Sequence, residues 1–126
     1  MTSEPYSEHV RQLFSDPGHT GDLAGGQQVR IDDQGVRIAL AATCEAGVVT
    51  GLRFRAWGCP HVLAAAESFC RDYEGRPCAD LLDFTAAELM QTLPVPKEKL
   101  GRILVLEDAV RSLGQSVRHN PTDEAE

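Results

Sequence analysis

The first apolar residues of this chain recur at the spacing of a helix. They lie at positions four, seven and eight after the first, so they share one helical face: Tyr6, Val10, Leu13 and Phe14. Asp16-Pro17-Gly18 then supplies the turn residues that end a helix. The pattern predicts an amphipathic helix at the N-terminus.

Three strand-like segments follow, at about 27–31, 36–43 and 48–56. The turns between them are short and contain Asp32-Asp33-Gln34-Gly35 and Glu45-Ala46-Gly47. Strands so closely spaced leave no room for crossover helices. They therefore predict an antiparallel meander.

The second half of the chain returns to helical spacing. A helix is expected from Pro60 to about Glu74, because Gly75 is a favourable residue just past a helix end. A short helix, a capping-box helix opened by Thr85 and a last helix at about 97–118 follow. We expect an α+β fold in which a three-stranded antiparallel sheet is covered by helices. The predicted single domain spans residues 1–119, and residues 120–126 form a disordered acidic tail.

Charge and composition narrow the classes of partner. The net charge is −7, which argues against nucleic acid or an anionic membrane as the main partner. No apolar run approaches the roughly 18 residues of a membrane span, and the N-terminus does not resemble a signal peptide. The expected location is the cytoplasm.

The cysteines lie at positions 44, 59, 70 and 78, and no two of them have the CxxC spacing of zinc ribbons or thioredoxins. In a reducing compartment we expect free thiols. Cys70 falls on the apolar stripe of its helix and is interpreted as a packing residue. His9, His19 and His119 are isolated, so no role is assigned to them.

Cys59 is placed differently from the other cysteines. It follows a predicted strand and precedes Pro60, a residue at home in the first helical turn. A thiol at a helix start faces unpaired N–H groups and the positive end of the helix dipole, which favour the thiolate. Cys59 is therefore a candidate nucleophile or metal ligand, with a packing role as the alternative.

Several segments of the chain resemble, in order and spacing, the iron–sulfur cluster scaffold family of the IscU proteins and the NifU N-terminal domain. They are Asp16-Pro17 with Gly21, the run from Phe54 to Cys59, Leu93-Pro94, and Glu107-Asp108-Ala109-Val110. The resemblance covers about residues 5 to 118. It implies a non-enzymatic scaffold for iron–sulfur cluster assembly whose partners are a cysteine desulfurase and cluster-recipient proteins.

The ligand residues of the family are mostly missing. Of its three cysteines only the second has a counterpart, Cys59, and Asp33 stands at the place of the first. The last cysteine and its neighbouring histidine would lie near Gly101-Arg102, where neither residue type occurs. The chaperone-docking segment reads Leu-Pro-Val-Pro-Lys at 93–97 instead of L-P-P-V-K, which weakens the case for a chaperone partner.

The resemblance therefore leaves three candidate ligands for an iron–sulfur cluster or a zinc or iron ion: Cys59, His61 and Asp33. The alternative interpretations are an exposed first-turn histidine for His61 and a turn residue for Asp33. Arg102 is a candidate to hold Cys59 as a thiolate. A complete cluster site would need a homodimer, because a two-iron cluster takes four protein ligands.

Three functions remain in competition. The first is a scaffold-like protein that binds iron or a cluster, or accepts a persulfide sulfur on Cys59. The second is a degenerate scaffold paralogue that acts as an interaction or regulatory partner of a cysteine desulfurase. The third, a single-cysteine hydrolase or transferase, is disfavoured because His61 would be its only base.

Overall fold

The computed structural model describes residues 13, 18–21, 23, 25–33, 35–58, 60–91, 93, 95 and 97–119, the side chains of 118 and 119 excepted. Cys59, the predicted tail at 120–126 and most of the predicted N-terminal helix lie outside the described residues. Leu13, the one residue of that helix that is described, is helical and buried. No helix in the described ranges combines the length and the apolar character needed to cross a membrane.

The sheet is the predicted meander. Its strands are β1 (Gln27–Asp33), β2 (Val36–Glu45) and β3 (Val48–Trp57), and β2 lies in the centre. Both pairings are antiparallel, which confirms the prediction. β1 and β2 are each two residues longer than the pattern predicted, and β3 is one residue longer. Backbone pairing continues past the apolar residues to the turns.

The two faces of the sheet differ. Alternate residues of β2 point into the helical layer and are buried: Val36, Ile38, Leu40, Ala42 and Cys44. On the other face Ala39 and Ala41 are also buried, although no helix is described there. Their register partners on β3 are Arg55 and Arg53. Long arginine stems can cover small apolar residues while the charged ends stay in water.

The helices form the second layer. The elements after the sheet are α1 (Pro60–Tyr73), a first 3₁₀ helix (Cys78–Asp83), α2 (Ala86–Leu89), a second 3₁₀ helix (Lys97–Lys99) and α3 (Leu100–His119). α1 packs on β3, and α3 packs on β1, β2 and the first 3₁₀ helix. Thr85 Oγ1 accepts a hydrogen bond from the Glu88 N–H at 3.2 Å, as the capping-box sequence predicts. The architecture is the predicted α+β class.

The chain returns to the start of β3 when α1 ends. Gly75 has a φ of +91°, a conformation that glycine adopts without strain. Its N–H donates to the Val49 carbonyl at 2.8 Å, and the Val49 N–H donates to the Arg76 carbonyl at 2.9 Å. The Cys78 N–H then donates to the Gly47 carbonyl at 2.8 Å. Residues 75–78 therefore cover the first part of the β3 edge.

This return brings two cysteines together. Cys44, near the end of β2, and Cys78 are joined by a disulfide, with 6.8 Å between their Cα atoms. The expectation that all four cysteines are free thiols is wrong for this pair. Sequence spacing could not show it, because the pair depends on the return of the chain along β3. Cys70 is a free, buried thiol, in agreement with its packing interpretation.

Candidate functional site

The candidate ligands belong to one end of the sheet, which we call the site end: the β1–β2 turn, the last residues of β3 and the start of α1. Asp33 pairs with Val36 across β1 and β2. On the other side of Val36, a Cβ built on Gly58 would lie 3.4 Å from Val36 Cγ2. Two strand spacings, about 10 Å, therefore separate the backbones at Asp33 and Gly58. Cys59 lies outside the described residues, but both of its chain neighbours, Gly58 and Pro60, belong to this end.

His61 is buried in the first turn of α1, with 3% of its surface exposed. The interpretation as an exposed histidine is therefore wrong. Burial lowers the pKa of His61, and the positive charge of Lys99 lowers it further, against a smaller opposite effect of Glu98. The second 3₁₀ helix thus stands close to His61. The lowered pKa favours the neutral imidazole, which is the form that ligates metals.

Asp33 is exposed at the end of β1. Gly35 follows in the turn with a φ of +73°, so this turn uses the conformational freedom of a glycine. An exposed aspartate beside such a turn fits both interpretations made from the sequence. The structure brings Asp33 to the site end without assigning it a ligand role.

Arg102 is half-buried in the first turn of α3. Its expected role, holding Cys59 as a thiolate, involves a residue outside the described ranges and stays a prediction. Lys99 is also half-buried, and its effect on His61 places its charge at the site end. Of these two cations, it is Lys99 that lowers the pKa of a candidate ligand, His61.

The site end also exposes apolar surface. Trp57, at the end of β3, is 53% exposed, and Leu100 and Leu104 on α3 are exposed as well. An open groove of about 400 Å³ runs along β3 beside Trp57, and its other lining residues include Thr20, Gly21 and Leu63. Exposed aromatic side chains are enriched where proteins bind one another. The sequence did not reveal this groove, because it forms between segments far apart in the chain.

A buried polar cluster ties the segment before β1 to the rest of the fold. The His19 carbonyl accepts the Phe54 N–H at 2.8 Å, and His19 Nδ1 lies 2.6 Å from Glu67 Oε2. His19 Nε2 lies 3.0 Å from Glu74 Oε1. Glu74 Oε2 in turn accepts the Leu52 N–H at 2.8 Å. Sequence reasoning gave His19 no role. The sequence feature that could have pointed to this cluster is Glu67, a lone carboxylate in the run Ala64-Ala65-Ala66-Glu67-Ser68-Phe69.

Both carboxylates of this cluster are held in the charged form. Burial alone would raise the pKa of Glu67, but hydrogen bonds from His19 and Arg71 outweigh it, and the pKa is lowered. Burial would also raise the pKa of Glu74, yet the hydrogen bond from the Leu52 N–H and the contact with His19 lower it. The cluster is thus a structural tie built around two charged carboxylates.

The donor set does not complete a cluster site in one chain. Among the described residues, no group of three or more histidine, cysteine, aspartate or glutamate side chains could hold a metal ion. Adding Cys59 to His61 and Asp33 gives three candidate donors, whereas an iron–sulfur cluster normally takes four protein ligands. A single chain therefore does not fit a complete cluster.

Solved structures of other proteins share this fold. A NifU-like protein (N-terminal) from Brucella abortus superposes with a TM-score of 0.73 at 17% identity, covering 90% of this chain and 94% of that one. A proposed iron–sulfur cluster assembly scaffold protein for the SUF system from Fervidobacterium islandicum superposes with a TM-score of 0.57 at 15% identity, covering 92% and 83%. At these identities the likeness shows the fold alone.

Curated proteins offer no match to this sequence. A sequence model of the NifU-like N-terminal domain, in contrast, matches residues 5–116, nearly the whole length of the chain. The match agrees with the order of motifs in the sequence and with the meander and helical layer in the structure. The chain belongs to the family of NifU-like N-terminal domains.

Proposed function

We propose that this protein acts in iron–sulfur cluster assembly as a scaffold-like protein, and that its own chemical step is to accept sulfur on Cys59. The proposal is supported by the site end, to which Asp33, His61 with its lowered pKa and both chain neighbours of Cys59 belong. Sulfur transfer needs one accessible thiol of low pKa, so it does not depend on the ligands that the chain lacks.

The proposed step is a thiol–persulfide exchange that needs no further oxidant or reductant. The Cys59 thiolate attacks the outer sulfur of a persulfide carried by a cysteine desulfurase. The sulfur–sulfur bond of the donor breaks, the donor cysteine leaves as a thiolate, and Cys59 becomes a persulfide. Exposed Trp57 and Leu104 offer apolar surface on which such a partner could dock.

Cluster binding is a second, separate stage of the proposal. His61 and Asp33 would supply a nitrogen and an oxygen donor beside Cys59, and a second copy of the chain would supply the rest. A homodimer could then present a cluster to a recipient protein. We propose this for a single domain over residues 1–119 that works in the cytoplasm.

The test is an anaerobic reaction with a cysteine desulfurase, cysteine and ferrous iron, followed by intact mass and visible absorbance. Wild type and Cys59→Ser are compared, with Cys70→Ser as the matched control because Cys70 is buried. We expect one added sulfur atom in wild type and in Cys70→Ser, and none in Cys59→Ser. A visible absorption band that requires Cys59 would add cluster binding.

Two outcomes would contradict the proposal. Sulfur on Cys59→Ser equal to that on wild type would remove Cys59 from the reaction. A stable complex with the desulfurase, without sulfur on any cysteine, would instead identify the protein as a degenerate scaffold that acts as a binding partner.

A further inference from the structure

A pair of sulfur atoms lies at the opposite end of the sheet, which we call the hairpin end because it contains the β2–β3 turn. The disulfide between Cys44 and Cys78 is located there. Cys44 pairs with Val49, and Trp57 lies eight positions further along β3, so about 26 Å separate this disulfide from the site end. The proposed sulfur acceptor, Cys59, does not use this pair.

The backbone holds the two cysteines opposite one another without help from the sulfur atoms. The hydrogen bonds that fix residues 75–78 on β3 join Cys78 to Gly47, Val49 to Arg76 and Gly75 to Val49, at 2.8, 2.9 and 2.8 Å. The Cα atoms of Cys44 and Cys78 are 6.8 Å apart, within the range of about 4.4–6.8 Å that disulfides span. Reduction would remove none of these hydrogen bonds, so the two thiols would stay side by side and could rejoin within the chain.

The two sulfur atoms differ in access. Cys44 is buried in the core, at 4% exposure. Cys78 is half-buried and borders an open groove of about 390 Å³. The other residues lining the groove are Gly47, Pro77, Ala79, Leu82, Gly114 and Val117. A thiol that approaches through the groove meets Cys78, and Cys44 does not line it.

Cys70, the remaining described cysteine, does not take part in this exchange. Burial raises the pKa of Cys70 well above its usual value, and the negative charges of Glu67 and Glu74 raise it further. Because the thiolate is the reactive form, Cys70 stays inert toward exchange.

We propose that Cys44 and Cys78 form a reversible dithiol–disulfide couple that exchanges with small uncharged thiols, and that Cys78 is the sulfur at which the exchange takes place. The thiolate of the small molecule attacks Cys78 Sγ, the Cys44–Cys78 bond breaks, and Cys44 leaves as a thiolate that takes a proton from water. A second molecule of the thiol then attacks the mixed disulfide, which yields the small-molecule disulfide and a Cys78 thiol. Two thiols are oxidised and one protein disulfide is reduced.

The groove indicates the class of thiol. None of its lining residues is charged, and most of them present apolar or backbone surface. The chain carries a net charge of −7, which repels anions. An uncharged thiol such as 2-mercaptoethanol should therefore react faster than an anionic one such as glutathione, once each rate is divided by the rate of the same thiol with an unfolded peptide disulfide.

The test uses Cys59→Ser as the parent, so that the candidate site contributes no thiol. Acid-quenched samples of the parent are mapped by mass spectrometry during reduction with 2-mercaptoethanol. We expect the first mixed disulfide on Cys78. In a second arm, Cys44→Ser and Cys78→Ser are each added to the parent and treated with the disulfide of 2-mercaptoethanol. The free Cys78 should react at least tenfold faster than the free Cys44, and Cys70→Ser added to the parent should leave the map unchanged.

Three results would overturn the proposal. They are a parent without the Cys44–Cys78 bond after air oxidation, a first mixed disulfide on Cys44, and reduction no faster than global unfolding measured on the same sample. A faster normalised rate for glutathione than for 2-mercaptoethanol would overturn the assigned class of thiol. The first arm uses the parent with its disulfide intact. The proposal can therefore be tested even if a double variant fails to fold.

Discussion

The two ends of the sheet are built in opposite ways. At the hairpin end, residues 75–78 close the edge of β3 with backbone hydrogen bonds, and the Cys44–Cys78 disulfide adds a covalent link. At the site end, β3 stops at the exposed Trp57, and the candidate ligand Asp33 is exposed. The fold thus concentrates its constraints at one end and presents its polar and apolar groups at the other. Substitutions at the two ends should therefore have different effects.

The largest effect is expected from removal of the disulfide. Cys44 and Cys78 are 34 positions apart, and a link that closes a loop of this size stabilises a protein by about 4 kcal/mol in the chain-entropy treatment. Urea unfolding of Cys44→Ser/Cys78→Ser should show a loss of about this size. Reductant should lower the stability of wild type by a similar amount and leave the double variant unchanged. Equal stabilities with and without reductant would refute the constraint.

A loss of about 3 kcal/mol is expected for Glu67→Ala, because its buried carboxylate accepts the His19 N–H, contacts the His19 ring and accepts from Arg71, and all three contacts would be lost. Glu67 is fully buried and lies against His19 and Arg71, at 2.6 and 2.8 Å. Asp72→Ala, at an exposed position of the same helix, serves as the control. Chemical unfolding monitored by circular dichroism gives both values. A loss for Glu67→Ala no larger than that for Asp72→Ala would show that the cluster is not a tie.

Adding a methyl group to α3 should act differently at its two ends. A Cβ at Gly114 would lie 3.0 Å from Leu81 Cβ and 3.2 Å from the Leu82 nitrogen, so Gly114→Ala should cost about 2 kcal/mol through overpacking. Gly101 is exposed in the first turn of the same helix, and Gly101→Ala should gain about 0.5–1 kcal/mol from helix propensity. Thermal melting of the two variants measures the contrast. A stabilising Gly114→Ala would mean that the first 3₁₀ helix moves aside easily.

Acid should lower the stability in two separate pH windows, one set by His61 and the other by Glu67 and Glu74. Burial lowers the pKa of His61 below 6.5, so the unfolded chain binds this proton first and stability falls as the pH drops below about 6.5. The lowered pKa values of Glu67 and Glu74 give stability that is present above about pH 4.5 and is lost as the pH falls through their folded-state pKa values. His61→Gln should remove the first decline and keep the second. Unfolding measured from pH 8 to pH 3 tests both, and an unchanged first decline in His61→Gln would assign it to another group.

A small loss of stability is expected at Trp57. Since its side chain is half exposed, Trp57→Ser should lower the free energy of unfolding by about 1 kcal/mol. Under the proposed function it should weaken binding to a cysteine desulfurase about tenfold, as loss of an aromatic interface residue does. Val48→Ser, at the exposed start of β3 on the hairpin end, is the matched control and should leave binding unchanged. Titration calorimetry measures both, and equal affinities for the two variants would remove Trp57 from the interface.

The same comparison separates what the sequence could predict from what it could not. The meander and the helix ending before Gly75 follow from local spacing and turn residues, and both are confirmed. The burial of His61 and the Cys44–Cys78 pair depend on segments that return from elsewhere in the chain. Local patterns carry no information on such contacts. His19 was missed for the same reason, because its partner Glu67 lies on α1 and its partner Glu74 directly follows the end of α1.

The hydrogen bond between the Cys78 N–H and the Gly47 carbonyl makes β3 and α1 a closed excursion of the chain. The excursion leaves the hairpin end, passes through the site end at Gly58 and Pro60, and comes back to within 2.8 Å of its origin. Because its two ends are joined, the excursion is held at both ends in one place, while β3 stays paired with β2 and α1 packs on β3. The turn between β3 and α1, which carries Cys59 and His61, is therefore the point of the excursion farthest from that junction.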